Sequence, residues 1–169
     1  MKTLPLRLIS LFLISTFLFS CSKEDDGIYF DPSSEVIDLN KVTSYSTIEL
    51  DILKLVNDHR NDMGLSKLEA LNIVSSVAKG HTEYMVETGA VNHDNFSQRS
   101  QALIDNANAK SVGENVAYGF NTAQGVLNGW LNSEEHRKIL ENPSYTHFGI
   151  STEPNSEGRN YFTQIFIKK

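Results

Sequence analysis

Trp130-Leu131-Asn132-Ser133-Glu134-Glu135-His136-Arg137-Lys138-Ile139-Leu140-Glu141-Asn142-Pro143 is the stretch on which the fold turns. It reads as the end of one helix and the whole of the next. From Thr122 onward, Val126, Leu127, Trp130 and Leu131 recur at the three-and-four spacing of a helix with one apolar face. Ser133 breaks that run and suits the N-cap of a new turn, because Glu134 and Glu135 follow where negative charge complements the helix dipole. His136 comes three residues later, over the same face as Ser133. Ile139 and Leu140 carry the turn to a stop at Asn142-Pro143, since a residue before proline is pushed out of the helical region.

Upstream, Ile48, Ile52, Leu55, Val56 and Met63 mark a helix from Thr47 that ends at Gly64. Ala70, Val74, Val77, Ala78 and Met85 mark a second, ending at Gly89. His59 and His81 lie on these apolar stripes and read as hydrogen-bonded core histidines rather than ligands. Arg60 reads as structural, pairing with a carboxylate or a helix end. After a loop holding Asn92-His93-Asp94-Asn95, the segment from Phe96 to Asn106 reads as a short helix resting on Phe96, Leu103 and Ile104. Gly113 to Tyr118 alternates as a strand, with Glu114, Val116 and Tyr118 on one face. An ionised carboxylate among apolar neighbours needs a partner, and His93 is the candidate for Glu114; the plainer alternative is that Glu114 and Asn115 only tie down a loop. Downstream, strands from about His147 to Glu153 and Asn160 to Ile167 form a hairpin across Asn155-Ser156-Glu157-Gly158.

The N-terminus has a different character. Lys2 and Arg7 precede an apolar run from Leu8 to Phe19, too short to span a bilayer comfortably, so residues 1–20 read as a secretory signal. Leu18-Phe19-Ser20-Cys21 has the form of a lipobox, in which Cys21 becomes the lipidated first residue of the mature chain, carrying acyl chains such as palmitate. A free thiol or an intermolecular disulfide is the alternative for this single cysteine. Two or more acyl chains anchor a protein to a membrane lastingly. Ser22-Lys23-Glu24-Asp25-Asp26 is either a solvated tether or a surface-export signal. Residues 21–44 read as a lipidated tether or loosely docked arm, and residues 45–169 as the folded domain.

Taking Lys2 and Arg7 from 15 basic residues against 21 acidic ones moves the net charge from −6 to −8. Such a charge makes nucleic acid an unsuitable partner. A domain of roughly 125 residues can bury one core without disulfides.

His93-Asp94, Gly113-Glu114-Asn115, the Trp130–Pro143 stretch, Asn142-Pro143-Ser144-Tyr145-Thr146 and Tyr161-Phe162-Thr163-Gln164 together resemble the CAP superfamily, the SCP/PR-1 or cysteine-rich secretory group, in a bacterial, cysteine-poor form. The resemblance implies an α+β fold: a three-layer α-β-α sandwich with a small antiparallel sheet between helices. It also implies a polar cleft formed by His93, Glu114 and His136, with Ser133 and Tyr161 nearby. In many eukaryotic relatives the cleft carries two histidines and two glutamates and is proposed to bind zinc. Here Ser133 stands at the second glutamate and Tyr161 at the second histidine, so a zinc set would be His93, His136 and Glu114.

Two functions follow as expectations. One is a binding module in the bacterial cell envelope, anchored through Cys21 and displayed on the outer membrane surface, holding a lipid, a peptide or an envelope component. The other is a metal-dependent or Ser/His-type hydrolase, protease-like, using the same cleft with Ser133, His136 and Glu114 as nucleophile, base and orienter. Neither Gly-x-Ser-x-Gly nor His-Glu-x-x-His occurs, which favours the binding module.

Overall fold

The structure is a computed structural model that describes residues 37–42 and 44–169. The signal segment and Cys21 lie outside these residues. In chain order the elements are α1 (Thr47–Asp62), β1 (Glu69–Ala70), α2 (Asn72–Thr88), α3 (Phe96–Ala107), β2 (Ser111–Tyr118), α4 (Ala123–Asn132), α5 (Glu134–Leu140), β3 (His147–Pro154) and β4 (Asn160–Lys168). No helix among the described residues is long and apolar enough to cross a membrane.

The sheet runs β1-β3-β4-β2. β4 is central and antiparallel to both β2 and β3, as the hairpin reading required. The sheet is not wholly antiparallel, however, because Glu69–Ala70 pairs parallel with β3. A two-residue strand has no alternation to reveal it, and the apolar spacing places Ala70 in the following helix, which instead starts at Asn72.

Alternation along the strands sorts the core into two layers. On one face, Ile165 and Ile167 of β4 pack against Val74, Val77 and Ala78 of α2 and Leu103 and Ala107 of α3. On the other, Phe162 and Phe166 join Phe148 and Ile150 of β3 and meet Ile52 and Val56 of α1, Val126 and Trp130 of α4 and Leu140 of α5. Helices thus cover both faces, which is the expected three-layer sandwich. Each fully buried aliphatic or aromatic side chain stabilises this arrangement by about 1.5–3 kcal/mol. Met63 and Ile104 are exposed, although the helical spacing placed them inward.

Helix ends follow local chemistry. Ser46 and Glu49 form a capping box at the start of α1, and Gly64 and Gly89, at φ 72 and 68, sit just past α1 and α2 in the left-handed region that suits glycine. Arg60 is fully buried, and its Nη1 donates to the carbonyls of Leu140 at 2.7 Å and Asn142 at 3.1 Å, closing the C-terminus of α5. Ser133 occupies the N-cap position of α5, but its side chain makes no capping hydrogen bond; only its carbonyl participates, accepting from Arg137 N.

One long edge of the sheet is closed. β3 receives Glu69 N on Thr146 O and Leu71 N on Phe148 O, each at 3.0 Å. Farther along, Ile150 N donates to Ser75 Oγ at 3.1 Å and Thr152 N to Glu49 Oε1 at 2.8 Å. Gly149 permits this: a Cβ there would lie 2.6 Å from the Val74 carbonyl carbon, so α2 can press its backbone on β3 only because the side chain is missing. Residues 37–42 also dock on α2, with Ile37 and Leu39 against the α2–α3 core and Val42 N donating to Ser76 Oγ at 2.9 Å.

Candidate functional site

Glu114 sits mid-way along β2 with its carboxylate turned toward the layer of α2 and α3, 4% exposed. Three cationic or polarisable side chains converge on it. Arg99, fully buried on α3, donates Nε to Oε2 at 2.8 Å and Nη2 to Oε1 at 2.7 Å, a two-pronged grip that matches the carboxylate plane. His93 Nδ1 lies 2.8 Å from Oε1. His81, fully buried on α2, brings Nε2 to 3.9 Å from the same oxygen.

Burial alone would raise the pKa of the Glu114 carboxyl; the hydrogen bonds from His93 and Arg99, with the charge of Arg99, outweigh it and hold the group below its ordinary value. Glu114 is therefore ionised, and His93 Nδ1 carries the proton of their shared bond. The shared bond occupies Nδ1 and leaves Nε2 of a half-exposed imidazole facing outward from it.

The loop that presents His93 is held by the same groups. His81 Nε2 donates to Asn92 O at 2.9 Å, and Arg99 Nη1 donates to Asp94 O at 2.6 Å. Arg99 thus orients the carboxylate and the histidine loop together. Sequence reasoning paired His93 with Glu114 but missed Arg99 and the contribution of His81. A signal existed: Arg99 falls on the stripe of Phe96, Leu103 and Ala107, where a charged residue is out of place unless it has a buried partner.

Of the other expected cleft residues, Tyr161 lies apart from Glu114, whereas His136 is close enough to feel the charge of His93. Tyr161 is buried against Tyr118, Met85 and Val116, and it pairs with Tyr118 at the far end of β2 from Glu114's partner Ile165. Three residues of strand, Phe162 to Gln164, separate the two positions. His136 is tied through its carbonyl, which accepts from Asn115 Nδ2 at 3.1 Å; burial and the nearby charge of His93 lower its pKa, against the opposing pull of Glu135. Glu114 orients His93, not His136, so Ser133, His136 and Glu114 do not form a relay.

Zinc would draw on His93, His136 and Glu114. Both Glu114 oxygens are already committed to Arg99 and His93, and among the described residues no three His, Cys, Asp or Glu side chains converge to hold a metal ion. These residues do not fit a zinc centre, and no step is assigned to one.

Beside His93 and Glu114 opens a pocket of about 360 Å³ lined also by Phe96, Val112, Gly113, Ile139 and Tyr145. Ser133, His136 and Tyr161 are not among its walls. A Cβ on Gly113 would collide with the Tyr145 hydroxyl and lie 3.0 Å from its Cζ, so glycine allows the tyrosine to form the floor. These apolar walls come from four separated segments, which is why no single motif revealed them.

The family described as the cysteine-rich secretory protein family, CAP, matches residues 53–166. An uncharacterized membrane protein of Bacillus subtilis is 39% identical over 129 residues, covering 73% of this chain and 35% of that protein. A second uncharacterized protein of the same organism is 31% identical over 130 residues, covering 75% and 49%. The chain therefore spans about a third of one curated relative and half of the other. Among solved structures, an outer surface protein of Borrelia burgdorferi superposes with a TM-score of 0.66 at 22% identity, covering 75% of this chain and 96% of that one. An extracellular SCP-domain protein of Bacillus anthracis gives 0.62 at 29% identity, covering 72% and 40%.

Proposed function

Because the chain belongs to the CAP family of cysteine-rich secretory proteins, we propose that it is an exported binding module whose pocket beside His93 accepts an apolar group of a lipid, a peptide or an envelope component. The observation that carries this reading is the combination of apolar walls and a single oriented imidazole. Phe96, Val112, Ile139 and Tyr145 can exclude water from a bound apolar group, while His93 Nε2 offers one directional polar contact. At about 360 Å³ the volume suits a small ligand or a side chain of a larger one.

Lipid anchoring through Cys21 and placement in the cell envelope belong to the same proposal. Their support is the Leu18-Phe19-Ser20-Cys21 sequence, together with relatives described as membrane and extracellular proteins. A mature charge of −8 agrees with a partner other than nucleic acid.

The test uses the naphthalene sulfonate dye ANS and the purified chain. Saturable dye fluorescence that is lost in Ile139→Trp, which fills the pocket, and in Phe96→Ala, which removes a wall, supports the reading. Dye binding unchanged in both variants, with cooperative unfolding retained, would falsify it.

A further inference from the structure

β2 is an edge strand, because the sheet order places it beside β4 alone. Its register with β4 runs unbroken from Ser111 to Tyr118. Gly119 N donates to Asn160 O at 2.8 Å, which sets the phase of the ladder: odd-numbered residues exchange bonds with β4, and Val112, Glu114 and Val116 turn their main-chain groups away from it. Val116 O is taken by Trp130 Nε1 at 3.0 Å. Among the described residues none bonds the outward N–H and C=O of Val112 or Glu114. On the opposite side of the sheet β3 differs, since β1 bonds the carbonyls of Thr146 and Phe148 and the amides of Ile150 and Thr152 go to Ser75 and Glu49.

The pocket lies at this gap. Val112 and Glu114 point toward Phe96 at the start of α3 and His93 in the loop before it; Gly113 points the other way, toward Ile139 and Tyr145. Successive residues of a strand face opposite sides of a sheet. A pocket lined by both sets must wrap round a strand edge, and β4 occupies the inner one.

We propose that the free edge of β2 at Val112–Glu114 receives an extended peptide segment, which adds to the sheet as a short outer strand. This rests on the binding-module reading and names its ligand class. A peptide backbone supplies the donors and acceptors that the outward groups of Val112 and Glu114 require, whereas an acyl chain supplies none. Its alternate side chains fall on the two walls, one against Phe96 and His93 and the next against Ile139 and Tyr145. Trp130 ends the docking register at Val116, so the added strand is about three residues long.

The test pans a phage-displayed library of random linear heptapeptides on the whole chain, then synthesises an enriched peptide with each backbone nitrogen methylated in turn. Methylation at alternate positions is expected to weaken binding about tenfold or more, the scale of one lost hydrogen bond in a dry site. Val112→Pro is expected to weaken it by a similar factor, because proline deletes the outward N–H without breaking a bond to β4. Amide exchange provides a measurement free of substitution: bound peptide slows exchange at Val112 and Glu114. No enriched peptide, or binding insensitive to Val112→Pro and to every methylation, overturns strand addition. If ANS still binds the pocket in that case, the apolar-pocket reading survives; if neither ANS nor peptide binds, both readings fall.

Discussion

Arg99 and Glu114 meet in two near-parallel hydrogen bonds, Nε to Oε2 at 2.8 Å and Nη2 to Oε1 at 2.7 Å, with both side chains shut off from water. The pair joins α3 to β2 and sets the base on which His93 stands. Removing one partner leaves an uncompensated buried charge. Arg99→Met is therefore expected to lose about 3–5 kcal/mol, and Arg99→Met combined with Glu114→Leu to regain much of that loss. Urea denaturation of the four proteins of the double-mutant cycle measures it. Arg99→Met as stable as the parent chain would show that the pair is dispensable.

Acid should weaken the fold in two stages. His136 is held below its ordinary value of 6.5, chiefly by burial, so the unfolded chain binds that proton more readily and stability declines as pH falls below about 6.5. Glu114 is held below 4.5 despite burial, by His93 and Arg99. Its contribution is complete above about 4.5 and is lost as pH falls through the lower folded value. Unfolding free energy against pH should lose the first stage in His136→Gln and the second in Glu114→Gln.

Gly113 and Tyr145 should show compensation. Gly113→Ala drives a methyl group into the Tyr145 hydroxyl and is expected to cost about 1–3 kcal/mol while closing the pocket to ANS. Tyr145→Phe removes the colliding oxygen, so the double variant should recover part of the stability. Thermal unfolding of the three variants is the measurement, and equal losses with and without the tyrosine hydroxyl would contradict the collision.

Arg60 joins α1 to the end of α5 through the carbonyls of Leu140 and Asn142. Arg60→Met keeps the stem but strands those acceptors, at a cost of about 1–3 kcal/mol. Amide exchange should report the loss first in α5. Uniform acceleration of exchange throughout the domain would show instead that Arg60 serves the whole core.

What could be read in the sequence was what local chemistry decides. Gly64 and Gly89 ended their helices because each takes a positive φ, and Pro143 ended α5. The partnership of His93 with Glu114 followed from the cost of burying a carboxylate, with family resemblance choosing the histidine. Resemblance was a poorer guide for Tyr161, which alternation turns toward Tyr118 and Met85 at the other end of the strand. Arg99 was legible in principle, as a charge on the apolar stripe of α3, but its acceptor lies 15 residues away on another element. The pocket walls were not legible, since Phe96, Val112, Ile139 and Tyr145 meet only after the two faces of the sheet have been covered.

The closed outer side of β3 also limits how copies of the chain can associate. Growth of a fibre by lateral pairing of strands requires every subunit to offer two receptive flanks. Here β1 takes the carbonyls of Thr146 and Phe148, and Ser75 and Glu49 take the amides of Ile150 and Thr152, on one flank. Two molecules pairing through β2 would therefore turn outward flanks whose amides at Ile150 and Thr152 are already taken, which works against growth beyond two.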